Sequence, residues 1–215
     1  MHYQKNNIKN LKVVKHPLTE RDLTILRDKN TSSSMFRQVL GRVSMILAYH
    51  ALEDLPLKQV TLNTPIQKTE GVVLDTDIIV VPILRAGLGL VDSIITFIPE
   101  TKVGHLGLYR DETTKQPVEY YYKMPDGLDT AEVILVDPML ATAGSAIAAL
   151  NILKEHGAKK IRFMCLIAAP EGIEKLQQEH PDVPIVTAAV DEKLNEDAYI
   201  VPGLGDAGDR FFGTV

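Results

Sequence analysis

Hydrophobic and polar positions in the first third of the chain follow the spacing of helices and then of short strands. Between residues 33 and 54, apolar side chains recur every three or four positions, which places them on one face of a helix. A shorter helix is expected before it, at residues 19–28. Two short strands are expected after it, at residues 58–62 and 72–74.

From residue 78 onwards, short apolar runs alternate with longer segments of helical spacing. Continuous apolar runs of this length predict buried strands. The expected strands cover residues 78–84, 103–109, 132–136, 161–167 and 185–190, and the expected helices cover 87–97, 145–156 and 171–179. Because this alternation is typical of right-handed βαβ crossovers, it predicts an α/β fold with a parallel sheet flanked by helices.

Residues 111–124 interrupt the alternation. The segment is polar and then carries three tyrosines in the run from Glu119 to Lys123. It predicts a projecting β-hairpin, and a long excursion of this kind is often a lid. We expect the whole of residues 1–215 to form one domain, with a helical arm at residues 1–57 and this hairpin at 111–124.

Composition and charge narrow the class of protein. A content of 45% hydrophobic and 24% charged residues is ordinary for a soluble fold. The net charge of −5 provides no general basic field, so neither a nucleic-acid partner nor a membrane is expected. The single cysteine and the polar first ten residues predict a cytoplasmic protein without a signal peptide. Six histidines without metal-ligand spacing predict no protein-built metal site.

The most informative chemistry lies between residues 133 and 145. An apolar strand ends at Asp137, Pro138 keeps that residue out of a helical conformation, and a small polar run from Thr142 to Ser145 opens a helix. Helix N-termini bind phosphate through unpaired N–H groups and the helix dipole. A carboxylate beside such a cradle suits a ligand with hydroxyls and a phosphate, such as a ribose 5-phosphate. The alternative is an ordinary strand–turn–helix with a serine N-cap.

Two arginines stand at the ends of other expected strands. Arg85 is followed by Ala86 and Gly87, which would let backbone approach a diphosphate, and Arg110 ends the strand before the hairpin. Guanidinium groups in such positions reach phosphates with a forked, permanent charge. The alternative for each is a solvated surface arginine.

The C-terminal run at residues 199–210 contains Gly203, Gly205 and Gly208 in a literal G-x-G-x-x-G spacing. This spacing does not predict a dinucleotide site here, because that fingerprint requires a complete βαβ unit around it. On the residues alone, the run could be a glycine-rich turn.

The loop Asp-Pro-Met-Leu-Ala-Thr-Ala-Gly-Ser at residues 137–145 resembles the phosphoribosyl-diphosphate loop of the uracil phosphoribosyltransferases. Most phosphoribosyltransferases begin this loop with two acids, and proline in the second place, as Pro138 here, marks the uracil branch. One departure is Ala143, where that family usually has glycine. We expect Ala143 to keep a negative φ, with Gly144 making the special turn.

The resemblance implies a type I phosphoribosyltransferase-like fold with an N-terminal helical segment and a projecting hairpin. It also implies the reaction of uracil with 5-phospho-α-D-ribose 1-diphosphate to give UMP and diphosphate. Catalytic roles would fall to Asp137, Arg110 and Asp206, and the uracil contacts to Ile200, Gly205, Asp206 and Ala207 in a base-binding loop at 199–210. The implied phosphoribosyl diphosphate contacts are Arg85, Arg110, Asp137, Pro138, Met139, Leu140, Ala141, Thr142, Ala143, Gly144, Ser145 and Asp206.

The resemblance further implies Mg²⁺ held mainly by the substrate, GTP as an allosteric activator, and a homodimer or higher homo-oligomer. Two alternatives from other classes stay open. One is a regulator of the same fold that binds pyrimidine-operon RNA, which the acid excess disfavours. The other is a phosphoribosyltransferase for another base, for which a second acid in place of Pro138 would be expected.

Overall fold

A computed structural model describes residues 10–110 and 117–214 of the chain. Its first part contains β1 (Leu11–Val13), α1 (Pro17–Arg27), α2 (Ser33–Ala51), β2 (Leu57–Asn63), β3 (Lys68–Leu74), β4 (Ile78–Leu84), α3 (Leu88–Phe97), β5 (Lys102–Val103) and β6 (His105–Arg110). Its second part contains β7 (Pro117–Lys123), β8 (Glu132–Val136), β9 (Met139–Leu140), α4 (Gly144–Glu155), β10 (Lys160–Ala168), α5 (Pro170–Glu179), β11 (Ile185–Val190), β12 (Lys193–Leu194), β13 (Ile200–Val201) and α6 (Ala207–Phe212).

The central sheet has the strand order β1-β11-β10-β8-β4-β6-β7, with β5 beside β4 and β9 beside β10. These pairs are parallel except β6–β7, which is antiparallel. Helices cover both faces. The predicted α/β fold with a mostly parallel, helix-flanked sheet is therefore confirmed.

The two faces of the sheet bury alternate residues of each strand, as strand geometry requires. In β8, Ile134 and Val136 join α1, α2 and α3 in one core cluster. Their neighbours Val133 and Leu135 join α4 and α5 in the second. All four side chains are fully buried, which explains why this strand appears in the sequence as an uninterrupted apolar run.

Most predicted elements lie within one to three residues of the observed ones, and the differences have local causes. The second helix ends at Ala51, not at residue 54, because Arg162 donates to the Ala51 carbonyl oxygen at 2.7 Å and also binds Asp54. The expected strand 103–109 is divided into β5 and β6 at Gly104, whose N–H donates to the Val80 carbonyl oxygen at 2.9 Å.

The expected hairpin is present, and it begins earlier than predicted. β7 pairs with β6, so this hairpin starts at His105, and residues 111–116 of the predicted segment lie outside the described residues. β2 and β3 form a second hairpin, which the sequence indicated only as separate strands. Its turn is closed by Thr64, whose hydroxyl accepts from the N–H groups of Ile66 and Gln67, without the usual Asn-Gly or Asp-Gly signal.

Across the described ranges, no helix is both long and apolar enough to cross a lipid bilayer.

Candidate active site

Three strands end side by side at one edge of the sheet. Pro82 of β4 pairs with Val136 of β8, and Leu84 of β4 pairs with Gly107 of β6, all in parallel. Arg85 and Asp137 therefore follow adjacent strands, and Arg110 is the last residue of the next one. This is the edge at which open α/β sheets bind ligands. The expected contact of Arg110 with the diphosphate stays a prediction.

Asp137 is partly buried at the start of the loop that leads to α4. Burial, with a smaller contribution from the negative charge of Asp206, raises the pKa of its carboxyl to about 7, and a hydrogen bond from the Met139 N–H opposes this rise. The Met139 N–H lies 3.4 Å from Asp137 Oδ1. Asp137 and Asp206 thus interact electrostatically, although 69 positions of sequence numbering separate them.

The turn before α4 corrects one expectation from the sequence. Ala143, not Gly144, adopts the left-handed conformation, with φ 63° and ψ 0°. A left-handed residue beside helical ones gathers successive N–H groups on one side, which forms a concave anion site. Ala143 is the N-cap, has no side-chain capping bond and is buried. The alternative of an ordinary helix start with a serine N-cap is therefore not what the structure shows.

The turn after β4 packs directly against the end of β8. A Cβ atom built on Gly87 would overlap the Val136 carbonyl oxygen and lie 2.8 Å from that of Ile83, so only glycine fits here. The Leu84–Arg85 peptide bond is cis. Arg85 is exposed, and its guanidinium carbon lies 5.9 Å from the centre of the Phe212 ring of α6.

The C-terminal run forms β13, a tight turn and the short helix α6. Asp206 caps this helix: its Oδ1 accepts from the Asp209 N–H at 2.9 Å. The helix begins beside the β4 turn, since a Cβ built on Gly208 would lie 3.5 Å from that of Ala86. Ile200 and Ala207 are buried, whereas Gly205 is exposed with φ 77°. The structure thus brings the base-loop candidates against the Arg85 turn.

A cavity of about 450 Å³ lies next to the base-loop candidates. Gly205 and Asp206 line it together with Arg27, the last residue of α1, and Thr31 of the α1–α2 connection. The loop from Asp137 to Ser145 does not line this cavity.

Sequence reasoning missed two groups that hold the terminal run. Arg27 of α1 and Asp191, directly after β11, form an ion pair beside Gly203. Arg210 donates to the backbone carbonyl oxygens of Leu26, in α1, and of Asp28, just after it. Asp191 follows a predicted apolar strand, as Asp137 does, and this position was the available signal.

The carboxylates at this edge of the sheet fit a divalent cation that is held mainly by the phosphates of a substrate. In the described part of the chain, no three His, Cys, Asp or Glu side chains cluster as a metal site. Asp137 and Asp206 are the two interacting carboxylates at the sheet edge. Mg²⁺ is commonly bound by one or two carboxylates together with substrate phosphates.

Comparison with known proteins is in accord with this geometry. The family model described as uracil phosphoribosyltransferase matches residues 13–214. The chain is 57% identical to the uracil phosphoribosyltransferase of Bacillus licheniformis, over 94% of this chain and 97% of that one. It is 56% identical to that of Dictyoglomus thermophilum, over 94% of this chain and 98% of that one.

Solved structures show the same architecture. The AQ2163 protein from Aquifex aeolicus is similar with a TM-score of 0.89 and 36% identity, over 94% of this chain and 97% of that one. Adenine phosphoribosyltransferase from Leishmania donovani is similar with a TM-score of 0.59 and 14% identity, over 90% and 89% of the two chains, which shows the shared fold.

Proposed function

The chain belongs to the uracil phosphoribosyltransferase family, and we propose that it transfers the phosphoribosyl group of 5-phospho-α-D-ribose 1-diphosphate to uracil. The products are UMP and diphosphate, so the reaction recovers a free pyrimidine base. The observation that carries this proposal is the meeting of an acidic loop, an arginine turn and a backbone-rich terminal run at one sheet edge.

The reaction requires no protein nucleophile. The bond between ribose C1 and diphosphate breaks as the ribose gains oxocarbenium character, N1 of uracil forms a bond to C1, and the proton of N1 passes to the departing diphosphate or to water. Catalysis then consists mostly of positioning and charge stabilisation. A bound Mg²⁺ neutralises charge on the diphosphate that leaves.

Each segment has a proposed role. Asp137 accepts hydrogen bonds from the ribose hydroxyls, and residues 141–145 bind the 5-phosphate at the N-terminus of α4. Arg85 and Arg110 bind the diphosphate and take up its developing charge, and Asp206 lies near the ribose diphosphate. The left-handed Ala143, which has no capping side chain, supports an anion at this turn.

Uracil is proposed to bind through backbone groups of Ile200 and of residues 205–207. Backbone N–H and C=O groups can pair with the O2, N3–H and O4 edge of the base. The backbone donors and acceptors of the loop have fixed positions. A base such as cytosine, whose donor and acceptor groups are interchanged, would leave buried backbone groups without a hydrogen bond, at a cost of about 1–3 kcal/mol for each group.

A panel of nucleobases tests the function. With phosphoribosyl diphosphate and Mg²⁺ present, uracil should be converted to UMP, and cytosine and hypoxanthine should be poor substrates. The formation of nucleotide is measured by chromatography, with Asp137→Asn as the inactive control. Equal rates with uracil and cytosine would contradict the proposal.

The two alternative functions have less support. An RNA-binding regulator needs basic surface, and the net charge of −5 offers no excess of it. A phosphoribosyltransferase for another base is disfavoured by Pro138 and by the family match. Filter binding with RNA, run beside the base panel, separates the first alternative from the enzyme.

Regulation, assembly and location are further parts of the proposal. From the family resemblance we expect activation by GTP, and rates that do not change on its addition would contradict this.

We also expect a homodimer or a higher homo-oligomer, which the exposed hairpin β2–β3 supports. The single buried thiol, Cys165, suits the reducing cytoplasm, where fractionation should find the protein.

A further inference from the structure

The ion pair between Arg27 and Asp191 lies beside the terminal run, and its geometry fixes how the two side chains are oriented towards each other. Arg27 donates through Nη1 to Asp191 Oδ2 at 2.8 Å and through Nη2 to Oδ1 at 2.6 Å. This is the bidentate, fork-to-fork arrangement, which fixes direction as well as distance. The Asp191 side chain is only 4% exposed and that of Arg27 is 25% exposed, so water competes weakly for either group.

The same two side chains also hold both sides of one glycine. The Gly203 N–H donates to Asp191 Oδ2 at 2.9 Å, and the Gly203 carbonyl oxygen accepts from Arg27 Nη1 at 2.7 Å. Gly203 has φ 65°, and a Cβ atom there would overlap the Ile200 carbonyl group. The ion pair therefore fixes the turn between Ile200 and Gly205, which belong to the two segments of the proposed uracil contact.

A second arginine holds the next residue. Arg210 of α6 donates to the Leu204 carbonyl oxygen at 2.7 Å, to that of Asp28 at 2.6 Å and also to that of Leu26. Its guanidinium carbon lies 4.5 Å from the centre of the Phe36 ring. Two arginines thus connect helix α1 to the terminal run: Arg27, which belongs to α1, and Arg210, which belongs to α6.

We propose that Asp191 and Arg27 are positioning residues for base recognition, which hold the Gly203 turn so that the backbone of residues 205–207 meets the edge of uracil. The proposal rests on the proposed function and adds residues that act through the loop, without contact with the base. A shift of about 1 Å in such a loop is enough to weaken binding strongly.

The chain offers a matched control in Asp22, on the same helix α1. Its side chain is 1% exposed and accepts from Arg21 Nε at 2.9 Å and from Arg42 Nε at 3.0 Å. It ties α1 to α2 and makes no bond to the terminal run. Asp22→Asn and Asp191→Asn therefore each remove a buried charge that is bound by arginine, and only the second change is adjacent to the base loop.

The test compares steady-state constants of the parent, Asp191→Asn, Arg27→Lys and Asp22→Asn. We expect Asp191→Asn to raise KM for uracil about tenfold and to leave KM for phosphoribosyl diphosphate within about twofold. Arg27→Lys keeps the charge but loses the fork, so it should give an intermediate rise. Asp22→Asn should leave both constants within about twofold of the parent values.

Amide exchange at residues 203–207 provides a second readout that needs no catalysis. It should become faster in Asp191→Asn and stay unchanged in Asp22→Asn. If Asp191→Asn does not fold, Arg27→Lys is judged by the same two measurements. Equal rises of both KM values, or unchanged exchange at 203–207, would overturn the proposal. If the parent converts no uracil, the proposed function fails, and exchange alone decides the positioning role.

Discussion

At the residue scale, Asp137 combines its proposed role in ribose binding with an environment that withholds water from its carboxyl. Burial raises its pKa to about 7, far above the ordinary value of 3.8. The carboxylate is the form that accepts hydrogen bonds from ribose hydroxyls. The population of this form therefore changes across the physiological range of pH.

We expect KM for phosphoribosyl diphosphate to fall as the pH rises through 7. The carboxylate of free Asp137 makes up about 10% of the population near pH 6 and about 90% near pH 8, so the change should approach tenfold. Initial rates between these two pH values measure it, with KM for uracil as the internal comparison. A KM for the diphosphate that is flat with pH would contradict the role of Asp137.

Asp137→Asn should be inactive and yet more stable than the parent above neutral pH. Because the folded pKa lies above the unfolded value, this group's stabilisation is complete below pH 3.8 and is lost as the pH rises through 7. Asparagine cannot ionise, so the melting temperature of the variant should exceed that of the parent by a few degrees at pH 8 and by less at pH 5. A lower melting temperature at pH 8 would show that the charged form is not penalised.

The left-handed conformation of Ala143, which is opposite to the negative φ expected from the sequence, leads to a stability prediction. In Ala143→Gly, removing the unfavourable positive φ of alanine should stabilise the folded protein by about 1 kcal/mol. The loss of a buried methyl group and the greater entropy of the unfolded chain should offset most of this stabilisation. The free energy of unfolding in urea should therefore stay within about 1 kcal/mol of the parent value. Ala149→Gly, buried within the same helix, is the control and should lose more, because its φ is ordinary for a helix.

At the element scale, the hairpin β6–β7 is anchored at its base. The Tyr122 ring stacks on that of His156, at the end of α4, with 4.1 Å between ring centres. Tyr122 pairs with Leu106, whereas Tyr109 pairs with Val118 nearer the tip. The anchor therefore divides the hairpin into a packed base and an outer part that is free of this contact.

We expect the outer part of this hairpin to close over the bound diphosphate and exclude water from the reacting ribose. Amide exchange at Tyr109 and Val118 should slow when phosphoribosyl diphosphate and Mg²⁺ are added. Exchange at Leu106 and Tyr122 should not change, which provides the control within the same element. Unaltered exchange at both ends would indicate a surface arm instead of a lid.

At the scale of the whole molecule, the hairpin β2–β3 projects apolar side chains into solvent. Ile66 is 92% exposed, and Leu57 and Val72 are each 60% exposed. A two-stranded hairpin on its own is marginally stable in water. An apolar surface of this kind is typical of an interface. We therefore expect a second copy of the chain to pack against it.

Sedimentation equilibrium should give the parent at least twice the 23.8 kDa mass of one chain. The double variant Leu57→Lys with Val72→Lys should shift the population towards the single-chain mass, because burying an unpaired charge in an apolar interface is unfavourable in free energy. Leu18→Lys, at a residue of α1 that is 47% exposed, is the control and should keep the parent mass. A parent that sediments as one chain at all concentrations would contradict the expected homo-oligomer.

The sequence by itself determined the strand-and-helix order and the motif at residues 137–145. Both are local properties: a buried parallel strand such as β8 must be apolar on each face, and a proline after Asp137 restricts one backbone angle. The fold class and the family resemblance could be predicted from these signals, and both are confirmed.

Only the tertiary structure decided how the segments meet. The left-handed Ala143 opposes the local preference of alanine, so packing around a buried methyl had to impose it. The ion pair between Arg27 and Asp191 joins residues from opposite ends of the chain, and no spacing along the sequence encodes such a contact. The raised pKa of Asp137 arises from burial and from Asp206, which is near it only in the folded molecule. Long-range contacts and desolvation exist only in the packed chain, which is why these features could not be predicted from local pattern.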